Sequence, residues 1–176
     1  MKEETQVFQK IHGRKIKVAL VGCGRISQNH VSAYKKFSHD LEPVAVCDSQ
    51  KDRATHLAEQ LSATPYSDLD QMLKQEKIDL ISICTPSGIH SKQAILAAKY
   101  KVNVLTEKPM ATRFHDGLAM VRACEQANVR LFVVKQNRYN KTLQYLKRAI
   151  TEERFQGINM VQVNVFWTRP QEYYDQ

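Results

Sequence analysis

Lys17-Val-Ala-Leu-Val-Gly-Cys-Gly-Arg-Ile26 decides the fold. It reads as a short apolar strand that runs into Gly22-Cys23-Gly24 and then into a helix from Arg25. Strand, glycine turn and helix, in that order, turn a loose glycine pattern into a dinucleotide cradle. Gly22 makes the tight turn. Gly24 has no side chain, so the main chain there can approach a diphosphate. The helix from Arg25 aims its first N–H groups and its positive dipole end at that diphosphate. Ser27 stands where the pattern has a third glycine. That position serves close helix–strand packing, and a small residue fits it.

Working outward, Ile26, His30, Ala33, Tyr34 and Phe37 recur at helical spacing and predict one apolar face. Pro43-Val-Ala-Val-Cys-Asp48 is a second strand ending on an acid. A helix follows over 52–61, with Ala54, Leu57, Ala58 and Leu61 inward. Pro65-Tyr66 makes a brief third strand, and Asp68 caps a helix running through Leu73. Ile78 to Cys84 is the fourth strand, Ile89 to Tyr100 an alanine-rich helix, and Val102 to Thr106 the fifth strand. A helix over 112–128 places Phe114, Leu118, Val121 and Cys124 on one side. Arg130 to Val134 is the sixth strand. Strands alternating with helices imply βαβ units, and near-continuously apolar strands imply a sheet covered on both faces. The fold class is therefore α/β: a doubly wound parallel sheet, the NAD(P)-binding Rossmann arrangement.

The tail has a different pattern. Leu143, Leu146 and Ile150 give a short amphipathic helix. Val161-Gln-Val-Asn-Val165 alternates strictly, which marks a half-buried strand of an antiparallel sheet. Such a strand is not stable alone. The expected organisation is a flexible leader over 1–14, a dinucleotide-binding domain over 15–135, and over 136–176 the start of a truncated second α/β domain for substrate and dimerisation. Pairing of the strand with its copy in a dimer, or extension of the first sheet, stays open.

Composition narrows the classes. The chain has 176 residues, 43% hydrophobic and 25% charged, as in a soluble globular domain. The leader lacks the apolar segment of a signal peptide, and no apolar run approaches membrane-spanning length, so a cytoplasmic location with no membrane partner is expected. Twenty-six basic and 18 acidic side chains give +8. The basic residues are scattered, without the clusters of a nucleic-acid module, so an acidic small molecule is the favoured anionic partner. Cys23, Cys47, Cys84 and Cys124 form no C-x-x-C pair and no histidine stands at zinc spacing, so small buried thiols and no metal are expected.

Chemistry gathers at strand ends. Asp48 can accept both ribose hydroxyls of an adenosine and repel a 2′-phosphate, favouring NAD over NADP. Arg53 nearby could hold a 2′-phosphate, and Asp48 could instead be a helix cap. Lys108, within Thr106-Glu-Lys-Pro-Met110, lies where a nicotinamide would bind. A lysine beside a cationic ring can take a proton from an alcohol as hydride leaves. Thr85-Pro86 and His90 occupy the corresponding turn one strand earlier, where His90 either lines the crevice or opens a helix. Arg138 follows the sixth strand as an anion or amide contact. Trp167 and Arg169 either face the nicotinamide and an acidic substrate or pack a core.

Gly22-x-Gly24-x-Ile26-x-x-x-His30, Thr85-Pro86-x-x-x-His90 and Glu107-Lys108-Pro109 together resemble the glucose–fructose oxidoreductase, inositol dehydrogenase and MocA family (Gfo/Idh/MocA). Lys135-Gln-Asn-Arg-Tyr-Asn140 and Val165 to Tyr174 are similar to a narrower group. Its members are bacterial enzymes of lipopolysaccharide (O-antigen) sugar synthesis that oxidise the 3-hydroxyl of UDP-N-acetylglucosaminuronic acid. The resemblance covers nearly all the chain after Arg14. It implies an NAD-dependent sugar dehydrogenase. In it Gly22, Gly24, Arg25, Ile26 and Asp48 bind the adenosine and diphosphate end, and Thr85, His90, Glu107 and Arg138 surround the nicotinamide ribose. Lys108 acts beside the sugar hydroxyl. The resemblance further implies a 2-oxo acid, such as 2-oxoglutarate, as reoxidant, and a homo-oligomer at full length. The family's second domain supplies an Asp and a His near the reacting carbon, and this sequence ends before them. Two other readings stay open: another sugar or inositol dehydrogenase, and a non-catalytic NAD-binding module.

Overall fold

The computed structural model describes residues 11–174. The expected leader falls mostly on 1–10, outside those residues. Its described end is anchored: Arg14 forks onto Asp79 at 2.6 and 2.8 Å, and Asp79 also accepts the Lys17 amide at 2.8 Å.

The chain divides into two units, one ending at Lys135 and the other beginning at Gln136. The first contains β1 (Ile16–Val21), α1 (Ser27–Lys36), β2 (Leu41–Cys47), α2 (Lys51–Leu61), β3 (Thr64–Tyr66), α3 (Leu69–Gln75), β4 (Leu80–Ile83), α4 (His90–Lys99), β5 (Asn103–Thr106), α5 (Phe114–Ala127) and β6 (Leu131–Val133). The six strands are parallel in the order β3-β2-β1-β4-β5-β6. The strand order reverses between β1 and β4, the point at which open α/β sheets bind ligands.

Alternation within each strand explains the two cores. Ala19, Val21, Ala45, Ile81, Ile83 and Val104 face one side and pack under α3, α4 and α5, with Met72, Ala94, Ala97 and Met120 fully enclosed. Val18, Leu20 and Val46 face the other side, under Val31 and Tyr34 of α1 and Leu57, Ala58 and Leu61 of α2. Ser82 is the polar interruption of β4. It is fully buried, and the Tyr34 hydroxyl donates to it at 2.7 Å.

Two helix faces differ from expectation. On α1 the buried residues are Ser27, His30, Val31 and Tyr34, whereas Ala33 and Phe37 are exposed. The i, i+3, i+4, i+7 stripe starts at Ser27 because the helix begins there, two residues after Arg25, and not at Ile26. On α5 the inward face is Gly117, Met120 and Cys124, while Phe114 is 87% exposed and Leu118 37%. Gly117 lies against Met110, whose terminal methyl would be 3.1 Å from an added Cβ, so the helix packs closest through its smallest residue.

In the second unit, α6 (Lys141–Thr151) forms as expected. The strand expected over Val161–Val165 does not: the backbone over 158–170 has no strand, and Val161, Val163 and Val165 are 72%, 76% and 65% exposed. No described segment pairs with it, and strand geometry without a ladder leaves its N–H and C=O groups to water. Alternation specifies two faces; a neighbouring strand is still needed to make a sheet.

Candidate functional site

Sheet register sets the site. Tyr66, Cys47, Val21, Ile83, Thr106 and Val133 are successive partners across the six strands, so the carboxyl ends finish in one row. The residues that follow each strand therefore line a single edge: Ser67, Asp48, Gly22, Cys84, Glu107 and Val134.

Gly22 has φ +90° and lies so close to the turn after β4 that an added Cβ would sit 2.7 Å from the Thr85 amide. Any side chain there meets both a disfavoured backbone conformation and a backbone collision. At Gly24 an added Cβ would meet nothing within 4 Å. It borders an open crevice, as a diphosphate needs of a bare backbone. Ser27, fully buried, donates its hydroxyl to Gly24 O at 2.6 Å. In place of the third glycine it thus packs inward and holds the turn. Arg25 is exposed and Ile26 half-buried just ahead of α1, whose amino end faces this turn.

Asp48 Oδ2 accepts the Cys23 amide at 2.7 Å and Oδ1 accepts the Gln50 amide at 2.8 Å. The carboxylate is thus pinned across the glycine turn and the entrance to α2, whose N-cap is Gln50 with no side-chain cap, so Asp48 lines the crevice and does not cap that helix. Each oxygen keeps a further lone pair for ribose hydroxyls. The crevice itself, about 540 Å³, is lined by Gly22, Gly24, Asp48, Arg53, Thr85 and Pro86 among others. Ser49, Gln50, Ser67 and Gln93 also line it and escaped the sequence reading; Asp68 lines it too, although that reading placed it only as a helix cap. The signal for Ser67 was its place after β3, legible only once the register was known. Gln93 accepts the Thr85 hydroxyl at 2.6 Å, one turn into α4. Arg53 shares the crevice with Asp48, so both sides of the NAD/NADP choice are present.

His90 begins α4 and is 1% exposed. Its Nε2 lies 2.7 Å from Thr85 O and its Nδ1 3.0 Å from Pro109 O. The ring therefore joins the turns after β4 and β5 from beneath and is not part of the crevice lining. Glu107 is also turned inward. Its Oε1 lies 3.0 Å from His30 Nε2 on α1, and each side chain is 9% exposed. The pairing of His30 with Glu107 was not legible in the sequence, since α1 and the end of β5 are 77 residues apart. Lys108 is exposed next to it, ahead of a cis peptide to Pro109.

Arg138, Trp167 and Arg169 belong to the second unit. Arg138 is exposed in a 3-10 turn over Gln136–Tyr139. The Arg169 guanidinium stacks on the Trp167 ring at 4.5 Å. Both lie on the stretch that forms no strand.

All four cysteines are free thiols. Burial pushes Cys23 and Cys47 up to about 12 and raises Cys84 further, so the sulfurs beside the crevice stay protonated at neutral pH. Among the described residues no three His, Cys, Asp or Glu side chains converge as metal ligands, and no helix is long and apolar enough to cross a membrane. A hollow of about 550 Å³ lined by Asp79, Lys101, Asn128 and Phe132 opens at the amino ends of the strands. It lacks the glycine turn and the helix amino end that border the crevice.

The profile of the oxidoreductase family with an NAD-binding Rossmann fold matches residues 16–135. The structure of the WlbA dehydrogenase from Chromobacterium violaceum, in complex with NADH and UDP-GlcNAcA, is 51% identical with a TM-score of 0.93, covering 96% of this chain and 49% of that one. The WlbA dehydrogenase from Bordetella pertussis, with the same two ligands, is 52% identical with a TM-score of 0.89, over 92% of this chain and 50% of that one. The D-apiose dehydrogenase of Paraburkholderia graminis is 34% identical over 79% of this chain and 37% of its own length. The chain thus spans half or less of the length of these relatives.

Proposed function

This chain belongs to the Gfo/Idh/MocA oxidoreductase family, and from that premise we propose that it is the nucleotide-binding part of an NAD-dependent dehydrogenase acting on the 3-hydroxyl of a UDP-linked N-acetylglucosaminuronic acid. Identity of 51% over 96% of the chain with an enzyme solved with NADH and UDP-GlcNAcA carries the substrate assignment. A role in lipopolysaccharide sugar synthesis, a 2-oxo acid as reoxidant and a homo-oligomer of the full-length protein go with that reading. The organisation into a Rossmann domain over 15–135 and the beginning of a substrate domain over 136–176 is part of the same proposal.

The residues fit the coenzyme. Open space at Gly24, the amino end of α1 and the pinned Asp48 carboxylate suit a diphosphate flanked by a ribose. NAD supplies the hydride acceptor when bound. Gly22, Gly24, Arg25 and Ile26 hold the diphosphate turn, and Asp48 takes the adenosine ribose hydroxyls. Thr85 and Glu107 shape the nicotinamide end, with His90 bracing it from below. Lys108 accepts the proton of the sugar hydroxyl as the C–H bond breaks. Trp167 and Arg169 serve the acidic sugar nucleotide.

NADH formation tests the proposal, with UDP-N-acetylglucosaminuronic acid, myo-inositol and free glucose offered in parallel to the native enzyme and to Lys108→Ala. Reduction with the UDP-sugar alone, and a loss of about a hundredfold or more in Lys108→Ala, is expected. Turnover of inositol in place of the UDP-sugar overturns the substrate. Full activity of Lys108→Ala overturns the proton acceptor.

A further inference from the structure

Three features join the glycine turn to the turn after β5. His30 lies in the first turn of α1, the helix whose amino end faces the glycine turn. Ser27, three residues earlier on the same buried face, donates to Gly24 O. His30 Nε2 meets Glu107 Oε1 at 3.0 Å, and Glu107 immediately precedes Lys108. The other carboxylate oxygen, Oε2, accepts the Lys108 amide at 3.2 Å, while the Glu107 amide donates to Ile83 O at 3.0 Å. The route from Gly24 to Lys108 therefore runs through one turn of helix and one buried polar contact.

Taken together, these contacts lead us to propose that His30, acting through Glu107, is a positioning residue for Lys108. It fixes the nicotinamide end of the crevice to the helix that holds the diphosphate. A carboxylate buried to this degree needs a donor, and a hydrogen bond made to a charged group is stronger and more directional than a neutral one. His30 supplies that donor with its proton on Nε2. With the donor in place, Glu107 has one orientation, and so does the peptide that begins Lys108. Without it, the carboxylate loses its donor inside the protein and must swing toward water, which moves the start of the Glu107-Lys108-Pro109 turn. The diphosphate contacts are untouched, because Gly22, Gly24 and Ser27 are held by their own bonds. The packing alternative, a histidine that merely fills space under α1, predicts no selective effect at one end of the coenzyme.

The inference rests on the crevice binding NAD with its nicotinamide beside Lys108, and the experiment separates the two claims. Calorimetric titrations with NADH and with ADP-ribose, which lacks the nicotinamide, are made on the native chain, His30→Ala, His30→Gln and His30→Asn. Thermal melting checks that each variant folds. ADP-ribose affinity is expected to stay within about twofold throughout, while the NADH/ADP-ribose affinity ratio falls about tenfold in His30→Ala, the scale of one broken buried hydrogen bond to a charge. His30→Gln, which can still offer an N–H to Glu107, restores most of the ratio. His30→Asn, too short to reach, behaves like alanine and serves if His30→Ala does not fold. In a Lys108→Ala background the His30 effect should disappear, since coupled residues are not additive. An unchanged ratio in a folded His30→Ala, equal weakening of both ligands, or an undiminished effect without Lys108 overturns the positioning role. Equal affinity of the native chain for both ligands also overturns it. A native chain that binds neither ligand overturns the coenzyme reading itself.

Discussion

Val102–Thr106 and Val161–Val165 are similar in length and apolar content, yet one is a strand and the other is not. The first holds β5, bonded to β4 on one side and β6 on the other, with Val104 fully buried beneath α4 and α5. The second has cleaner alternation and no partner among the described residues, and its three valines stay exposed. Strand propensity is a preference for a pleated, half-buried surface, so it shows only when the surface exists. The same contrast separates α4, packed against the sheet through Ala94, Ala97 and Ala98, from α6, whose Leu143, Leu146 and Ile150 are each more than 40% exposed.

The widest test of this contrast compares truncations in the two regions. Ile81→Ala, fully buried on β4, is expected to cost about 4 kcal/mol in chemical denaturation, the transfer loss plus a cavity. Val163→Ala is expected to change stability by less than about 0.5 kcal/mol in this chain, as an exposed site does. Comparable losses at both positions would show that 161–165 packs after all, and would break the comparison.

A sharper probe lies at the glycine turn. Gly22→Ala puts a methyl 2.7 Å from the Thr85 amide and holds φ near +90° against its preference, at a cost of about 3 kcal/mol. Melting and coenzyme titration should both register it. Gly24→Ala, with open space around the new methyl, should keep the stability nearly intact and weaken only coenzyme binding. If both variants lose stability equally, the two glycines do not divide the work as their geometry indicates.

The smallest effect concerns the anchored start of β1. The Arg14 guanidinium holds the Asp79 carboxyl below its usual value, helped by the Lys17 amide and opposed by burial. A depressed folded value means that stability is gained above the unfolded carboxylate range and lost as pH falls through the folded value. Asp79→Asn should therefore lower the melting temperature by a few degrees at neutral pH, and the gap to the native chain should close below about pH 4. A gap independent of pH would assign Asp79 a role through shape alone.

Much of the candidate site was legible in the sequence because its signals are local. Gly22 and Gly24 follow an apolar run directly and Asp48 ends the next one, each recognisable within a few residues, and all three line the crevice, whereas Lys108, read from its place after β5, is exposed and outside that lining. Asp68 was readable as a cap for the same reason, and its carboxylate accepts the Gln71 amide at 2.7 Å. His90 was placed at a helix start, but the direction of its ring depends on carbonyls at Thr85 and Pro109, from two different turns. On α5, periodicity alone favoured the large residues Phe114 and Leu118, whereas close packing on Met110 selected the side of Gly117.

Sequence by itself determined the alternation of strands and helices, the parallel sheet, the glycine turn and the acid at the end of β2, since each depends on contacts within one element or its next neighbour. Tertiary structure alone decided which helix faces are buried, that the six strand ends finish in one row, that His30 meets Glu107, and that 161–165 finds no partner strand among the described residues. Those outcomes join residues tens of positions apart. A one-dimensional pattern states what a segment prefers, and only the packed chain states which neighbour is there to satisfy it.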